Sequence, residues 1–241
     1  MNLKGTSALV TGASRGLGAA LVHALGKAGA RVVAVARSRE ALQDVVASAR
    51  AEGAEVHPLV ADVGDKQATY AIAGSAAALV GPIDLLIHNA STLGALPLPL
   101  LLDTECEDLQ RVLEVNVVGP FRLTKAVAGS MAARGQGTVV HITSDAAVNA
   151  YPRWGAYGVS KVALEHLGRI WGAELAERGV RFLTVDPGEM DTQMHADAMP
   201  EADRATLARP GEVARKLVQL LQQAEAPARV ELSSYAPAVS P

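Results

Sequence analysis

Short apolar runs alternate with longer amphipathic stretches from one end of the chain to the other. The runs SALVT (7–11), RVVAVA (31–36), AEVHPLVA (54–61), IDLLIH (83–88), GTVVHIT (137–143) and VRFLTV (180–185) are rich in Val, Leu and Ile. Each is followed by a stretch of helical character. In REALQDVVASARAEG (39–53), for example, Leu42, Val45, Val46 and Ala49 fall on one face, and GLGAALVHALGKAG (16–29) behaves alike. Strand then helix, repeated six times, predicts a parallel sheet covered on both faces, the doubly wound (Rossmann-like) α/β fold. The final stretch, PARVELSSYAPAVSP (227–241), predicts a short strand around 228–232 and a loose tail over 233–241. With no internal repeat, low-complexity tract or linker, residues 1–241 read as a single domain.

Composition narrows the setting. About half of the residues are hydrophobic but only 3% are aromatic, so Ala, Val and Leu must build the core. A net charge of −3 without a long basic run argues against a nucleic-acid partner. Cys106 is the lone cysteine, so no intramolecular disulfide can form, and a cytoplasmic location is expected. The most apolar stretch, LGALPLPLLL (93–102), holds two prolines and is too short to span a bilayer. His88, His141 and His195 show no metal-ligand spacing with one another or with Cys106, so no metal is expected.

The first run leads into TGASRGLGAAL (11–21), with Gly12, Gly16 and Gly18 at a strand-to-helix turn. Glycine lets a backbone come close to a ligand, and the N-terminus of the following helix favours a pyrophosphate. Gly12, Ser14, Arg15, Gly16, Leu17 and Gly18 are therefore candidate dinucleotide contacts. A carboxylate about twenty positions on would suit the ribose hydroxyls of NAD. Instead, Arg37 and Ser38 end the second run, and Arg15 lies in the glycine turn itself. Two guanidinium groups there would attract a 2′-phosphate by charge-assisted hydrogen bonds, so NADP(H) is the expected cofactor; the alternative is two solvated surface arginines.

With these residues in view, the chain resembles the compact, single-domain branch of the short-chain dehydrogenase/reductase family over roughly residues 5–223. TGASRGLG matches the family's T-G-x-x-x-G-x-G, and Asp62-Val63 the pair that contacts adenine. Asn89-Ala90-Ser91 matches N-A-G with its last glycine replaced. Asn116 in NVVGPF, Ser144, Tyr157 and Lys161 match the catalytic tetrad, and Pro187, Gly188 and Thr192 the P-G-x-x-x-T stretch beside the nicotinamide. The resemblance implies a carbonyl or alcohol substrate and a homodimer through the long helices around 104–132 and 155–178. The family's frequent V-D-G-G ending, which often packs in tetramers, is missing.

Tyr157 and Lys161 stand four residues apart, so on a helix they share one face. A nearby ammonium is expected to lower the phenol's pKa toward the working pH. By resemblance, Tyr157 moves a proton to and from the substrate oxygen, and Lys161 also binds the nicotinamide ribose. Ser144, thirteen positions before Tyr157, would hydrogen-bond that oxygen. Strand alternation puts its rival Thr143 on the opposite face. Pro120 has no N–H, so the carbonyl of Asn116 loses its helical partner, and in the family that carbonyl holds a proton-relaying water.

Other residues are open between two readings. Tyr151 and Trp154 are pocket walls or packing under a loop; Met190, Met194 and Met199 line a substrate lid or are ordinary core contacts. Asp145, Glu189 and Asp191 select a polar or cationic substrate or form a solvated rim. Two rival functions stand beside a carbonyl reductase. An extended-branch epimerase or dehydratase usually carries T-G-x-x-G-x-x-G, and a non-catalytic NADP sensor commonly loses the tyrosine or lysine; neither pattern is present.

Overall fold

A computed structural model describes residues 1–223 and 227–235. Strands β1 (Ser7–Thr11), β2 (Arg31–Ala36), β3 (Val56–Val60), β4 (Leu85–His88), β5 (Gly137–Ile142), β6 (Val180–Asp186) and β7 (Arg229–Glu231) form one sheet in the order β3-β2-β1-β4-β5-β6-β7. Every neighbouring pair is parallel. The six apolar runs and the short last strand thus fall where the pattern predicts. Helices α1 (Gly16–Lys27), α2 (Arg39–Ala51), α3 (Ala68–Val80), α4 (Cys106–Leu113), α5 (Gly119–Arg134), α6 (Gly155–Leu175), α7 (Gln193–Ala198) and α8 (Pro210–Gln222) connect or flank them.

The sheet buries both faces because successive strand residues point to opposite sides. Ala8 and Val10 join one core with Leu21 of α1, Leu42 of α2 and Leu217 of α8. Leu9, between them, joins a second core with Ile72 of α3, Leu123 and Met131 of α5, and Phe182. Strand order reverses between β1 and β4, so a crevice opens past their carboxyl ends, where doubly wound sheets bind ligands.

The long helical pattern around 104–132 is not one helix. Between α4 and α5 the backbone takes a π-helical turn over Glu114–Val118, and the Gly119 N–H reaches back five residues to the Glu114 carbonyl. Pro120 explains the interruption: it offers no N–H to Asn116 four residues before it. At the other end, Leu232 is buried and Tyr235 packs against the first core, so the tail expected to be loose from 233 starts in contact with the domain; residues 236–241 lie outside the described residues. Among the described residues, no helix is long and apolar enough to cross a membrane.

Candidate active site

One cavity of about 750 Å³ runs along the carboxyl ends of the strands. At one end lies the glycine turn. Gly12 has φ +67° and a Cβ there would come within 2.7 Å of the Ala90 Cα. At Gly18 a Cβ would stand 2.1 Å from the Gly12 carbonyl oxygen. The Asn89 side chain reinforces this contact, its Nδ2 donating to the Thr11 and Gly12 carbonyls at 3.0 and 3.1 Å. Thr11 Oγ1 accepts in return from the Asn89 and Ala90 amides, both at 3.1 Å. Asn89 therefore shapes the turn with its side chain, and Gly18 lies behind the cavity wall rather than in it.

The residues fit a dinucleotide. The N-terminus of α1 has no side-chain cap and no acidic residue in its first turn, so its free N–H groups and positive dipole end are directed at the turn. Ser14, Arg15, Gly16 and Leu17 line the same wall, followed by Arg37, Ser38, Asp62 and Val63 and then by Asn89 and Ala90. Arg15, Arg37 and Ser38 are exposed. Arg37 Nη1 lies 3.7 Å from the Asp62 carboxylate, and Asp62 Oδ1 accepts from the Gly64 amide at 2.8 Å. Pro187, Gly188 and Thr192 close the cavity from the β6 side, and Thr192 caps α7 by accepting from the His195 amide.

Further along, α6 brings Tyr157 and Lys161 to the cavity, both buried. A Cβ at Gly158 would meet the Ala146 carbonyl at 2.9 Å; its absence lets the turn carrying Ser144 pack against α6. Lys161 Nζ donates to the Ile142 carbonyl at 2.9 Å and sits 5.2 Å from the centre of the Tyr157 ring. Trp154 packs edge-on against the same ring. Ser144 Oγ donates to Asp145 Oδ1 at 2.9 Å and accepts from the Ala146 amide at 3.2 Å. Thr143 turns its hydroxyl away, donating to buried Glu165 at 2.8 Å, so alternation assigns the cavity-facing hydroxyl to Ser144 as expected.

The electrostatics correct one expectation. The Tyr157 phenol is not lowered but raised well above its ordinary value, first by burial and then by the Asp186 and Asp145 carboxylates; hydroxyls of Ser144 and Ser91 pull the other way. Desolvation dominates the Tyr157 shift; Lys161 is itself buried and pushed down to about 8, with Asp186 and Glu165 opposing the fall.

Asn116 is placed differently from the other matched residues. It is 1% exposed and does not line the cavity. Its Nδ2 donates to the Thr92 carbonyl and to Ser160 Oγ, each at 2.9 Å, and its Oδ1 accepts from the Thr92 amide. Ser160 in turn donates to the Tyr157 carbonyl at 2.6 Å. The side chain thus ties the segment after β4 to the start of α6.

The cavity's remaining wall is formed by Leu93, Trp154, Met190, Met194 and Met199, with Tyr151, Asp145, Glu189 and His195 among them. Tyr151 donates to Asp145 Oδ2 at 2.8 Å. Tyr151 and Trp154 are thus pocket walls, and the three methionines line the cavity, although Met190 also packs against the first core. Asp191 does not line it; it pairs with Arg204 at 2.6 Å. Sequence reasoning did not single out Asp186, at the floor of the cavity; its one signal was its place at a strand's carboxyl end, immediately before Pro187-Gly188. His88 and His141 are buried side by side, ring centres 5.2 Å apart, as structural residues.

The family model described as short chain dehydrogenase matches residues 6–203. The chain is 38% identical to carbonyl reductase [NADPH] 2 of Sus scrofa, over 80% of this chain and 75% of that protein. It is 37% identical to a short chain dehydrogenase of Pseudocercospora fijiensis over 80% of this chain. The chain spans 62% of that relative's length, and 18% of a 32% identical glycine betaine reductase of Emericella nidulans. Among solved structures it superposes on an actinorhodin polyketide ketoreductase crystallised with NADPH, with TM-score 0.87 and 29% identity over 95% of this chain and 98% of that one.

Proposed function

The chain belongs to the short chain dehydrogenase family, and we propose that it is an NADP(H)-dependent oxidoreductase interconverting a ketone or aldehyde with its alcohol. One observation carries the reading: the Tyr157 phenol, the Ser144 hydroxyl and the Lys161 ammonium reach a single cavity whose far end is the glycine turn. Arg15, Arg37 and Ser38 at that end would hold a 2′-phosphate, as charged forks suit a phosphate better than the ribose hydroxyls of NAD. Relatives point both ways, one structure being a xylitol dehydrogenase with NAD+ and others complexes with NADP.

The bound nicotinamide would supply the hydride for reduction and accept it for oxidation. The chain's own part is the proton and the oxygen. Tyr157 Oη gives its proton to the carbonyl oxygen while Ser144 Oγ hydrogen-bonds that oxygen and stabilises the charge that develops on it. A phenol held protonated by burial is in the right form for this step; oxidation of the alcohol needs the phenolate and is favoured by alkaline pH. Lys161 supplies positive charge beneath the phenol and would bind the ribose hydroxyls. Asn116 acts as a positioning residue through Ser160 and Thr92. Trp154 and the methionines keep water from the reacting carbon.

Relatives bearing carbonyl reductase and L-xylulose reductase names support a small carbonyl substrate. A homodimer through α5 and α6 is part of the proposal, their outer faces exposing Phe121, Val162 and Ile170, and so is a cytoplasmic location. The test is NADPH consumption with a panel of ketones and aldehydes. Tyr157→Phe should lower kcat by roughly 10²- to 10⁴-fold while NADPH still binds. Full activity in that variant would sink the reading.

A further inference from the structure

The last strand delivers a charge to the floor of the site. β7 lies beside β6 with Arg229 opposite Thr184 and Glu231 opposite Asp186. Arg229 donates from three nitrogens to three carboxylates: Nη2 to Asp186 Oδ2 at 3.2 Å, Nε to Glu165 Oε1 at 3.1 Å and Nη1 to Glu231 Oε1 at 2.6 Å. Glu231 is exposed, but Asp186 and Glu165 are only 5% and 2% exposed. Buried carboxylates at this depth stay ionised only with partners. Besides Arg229, Glu165 has Thr143 and, at 3.6 Å, Arg169; Asp186 has the Gly188 amide at 3.0 Å.

Lys161 stands beside both carboxylates. It lies one helical turn before Glu165 on α6, and its ammonium bonds to the end of β5, the strand next to Asp186. It is 3% exposed, and no carboxylate lies within ion-pairing distance of its nitrogen among the described residues. The geometry points to Arg229 as a positioning residue: its fork holds Asp186 and Glu165 in place and offsets part of their charge, and those two carboxylates set the field around the buried Lys161 ammonium. The titratable groups facing Lys161 are Asp186 from β6, Glu165 from α6, His141 from β5 and the Tyr157 phenol; those facing Asp186 also include Asp145 and Glu231.

The titration behaviour agrees. Burial draws Lys161 down to about 8, and Asp186 and Glu165 are the groups opposing it. Burial raises Asp186 above the usual carboxylate range, and the Gly188 amide and Arg229 oppose that rise against Asp145 and Glu231. Without the guanidinium, the negative charge around Lys161 would be offset by one cation fewer, and Lys161 would hold its proton to higher pH. The use of that charge in catalysis rests on the oxidoreductase reading; the coupling itself does not.

The experiment is an NMR titration of the full chain labelled with ¹³C at lysine Cε, without cofactor, the Lys161 signal being assigned with Lys161→Arg. Arg229→Gln should raise the Lys161 midpoint by about one pH unit. Arg229→Lys, which keeps a charge but not the fork that reaches both carboxylates, should raise it by less. In NADPH-dependent carbonyl reduction the alkaline limb of kcat/KM should move up with the midpoint. An unchanged midpoint in folded Arg229→Gln overturns the proposal, even when thermal stability falls; should that variant not fold, an unchanged midpoint in Arg229→Lys does the same. A shifted midpoint in a protein that reduces no carbonyl supports the coupling and removes only the oxidoreductase reading.

Discussion

The two ends of the cavity are built from different materials. At the β1 end main-chain atoms shape the glycine turn, with the Arg15 and Arg37 side chains along its rim. Gly12, Gly18 and the carbonyls that Asn89 grips leave no room for a methyl group. At the β5 and β6 end the surface is made of side chains, including Trp154, Met194, Met199 and Tyr151, the last with its ring exposed. A backbone site is stiff, and its shape is tied to the fold itself. A side-chain site can change its lining while the fold stays the same. The comparison predicts unequal sensitivity: substitutions at the first end should damage folding and cofactor binding, and those at the second should tune substrate preference.

The largest effect should come from Gly18→Ala. Its Cβ would be forced to within 2.1 Å of a main-chain oxygen and 2.6 Å of Asn89 Nδ2, neither of which can yield without moving the turn. A loss of about 3 kcal/mol is expected, read as a fall of roughly 10 °C in Tm by calorimetry. A variant as stable as the parent would show that the turn is softer than its contacts imply.

Acid should act on the two buried histidines of β4 and β5. His88 and His141 are both held neutral: burial drives His88 well below its ordinary value, with His141 adding to the effect, and burial takes His141 to about 4, the Leu164 carbonyl opposing and Lys161 assisting. The unfolded chain, titrating near 6.5, therefore binds more protons between these values. The stability is fully present above about pH 6.5 and is lost as pH falls toward 4, by on the order of 3 kcal/mol for His141. Urea melts from pH 7 to pH 4.5 would measure it, and His141→Phe should flatten the slope.

Selectivity at the phosphate end is a smaller effect. Arg37→Gln should raise the KM for NADPH by roughly 10- to 100-fold and leave that for NADH nearly unchanged, with Arg15→Gln acting alike. Equal losses for both cofactors in steady-state kinetics would contradict the 2′-phosphate assignment. The smallest change is expected at the other end. Met199 is half-exposed, so Met199→Ala should alter the KM for an apolar ketone by about threefold or less without changing kcat.

The fold was legible because a sheet buried on both faces writes each strand as an unbroken apolar run, and the punctuation between runs is glycine. RVVAVA marks β2 to the residue, whereas AEVHPLVA overshoots β3 by residues at each end because this edge strand is only half buried. Within the site, local spacing sufficed for Tyr157 and Lys161, which share a helix, and for Gly12 and Gly16, which share a turn. It could not reveal the Glu165, Asp186 and Arg229 cluster, whose members are 21 and 43 positions apart and meet only when β7 docks on β6. Nor could spacing give the sign of the Tyr157 shift. That depends on how much water the folded chain excludes, and burial is the largest cause of the rise. Asn89 and Asn116 were legible as positions, but the work of their amides, each spent on main-chain and hydroxyl partners, was not.

The clasp between Thr11 and Asn89 has a consequence for how such a chain could acquire a new role. Both amide hydrogens of Asn89 and the Thr11 oxygen are committed to main-chain partners, leaving nothing there with which to tell one reactant from another. Apart from Leu93, the side chains free to discriminate between reactants come from two short stretches, around 145–154 and 189–199, that lie outside the strands. On the proposed oxidoreductase reading, drift in those stretches would redirect the chain toward a different compound while the scaffold shaped for a nucleotide is inherited intact.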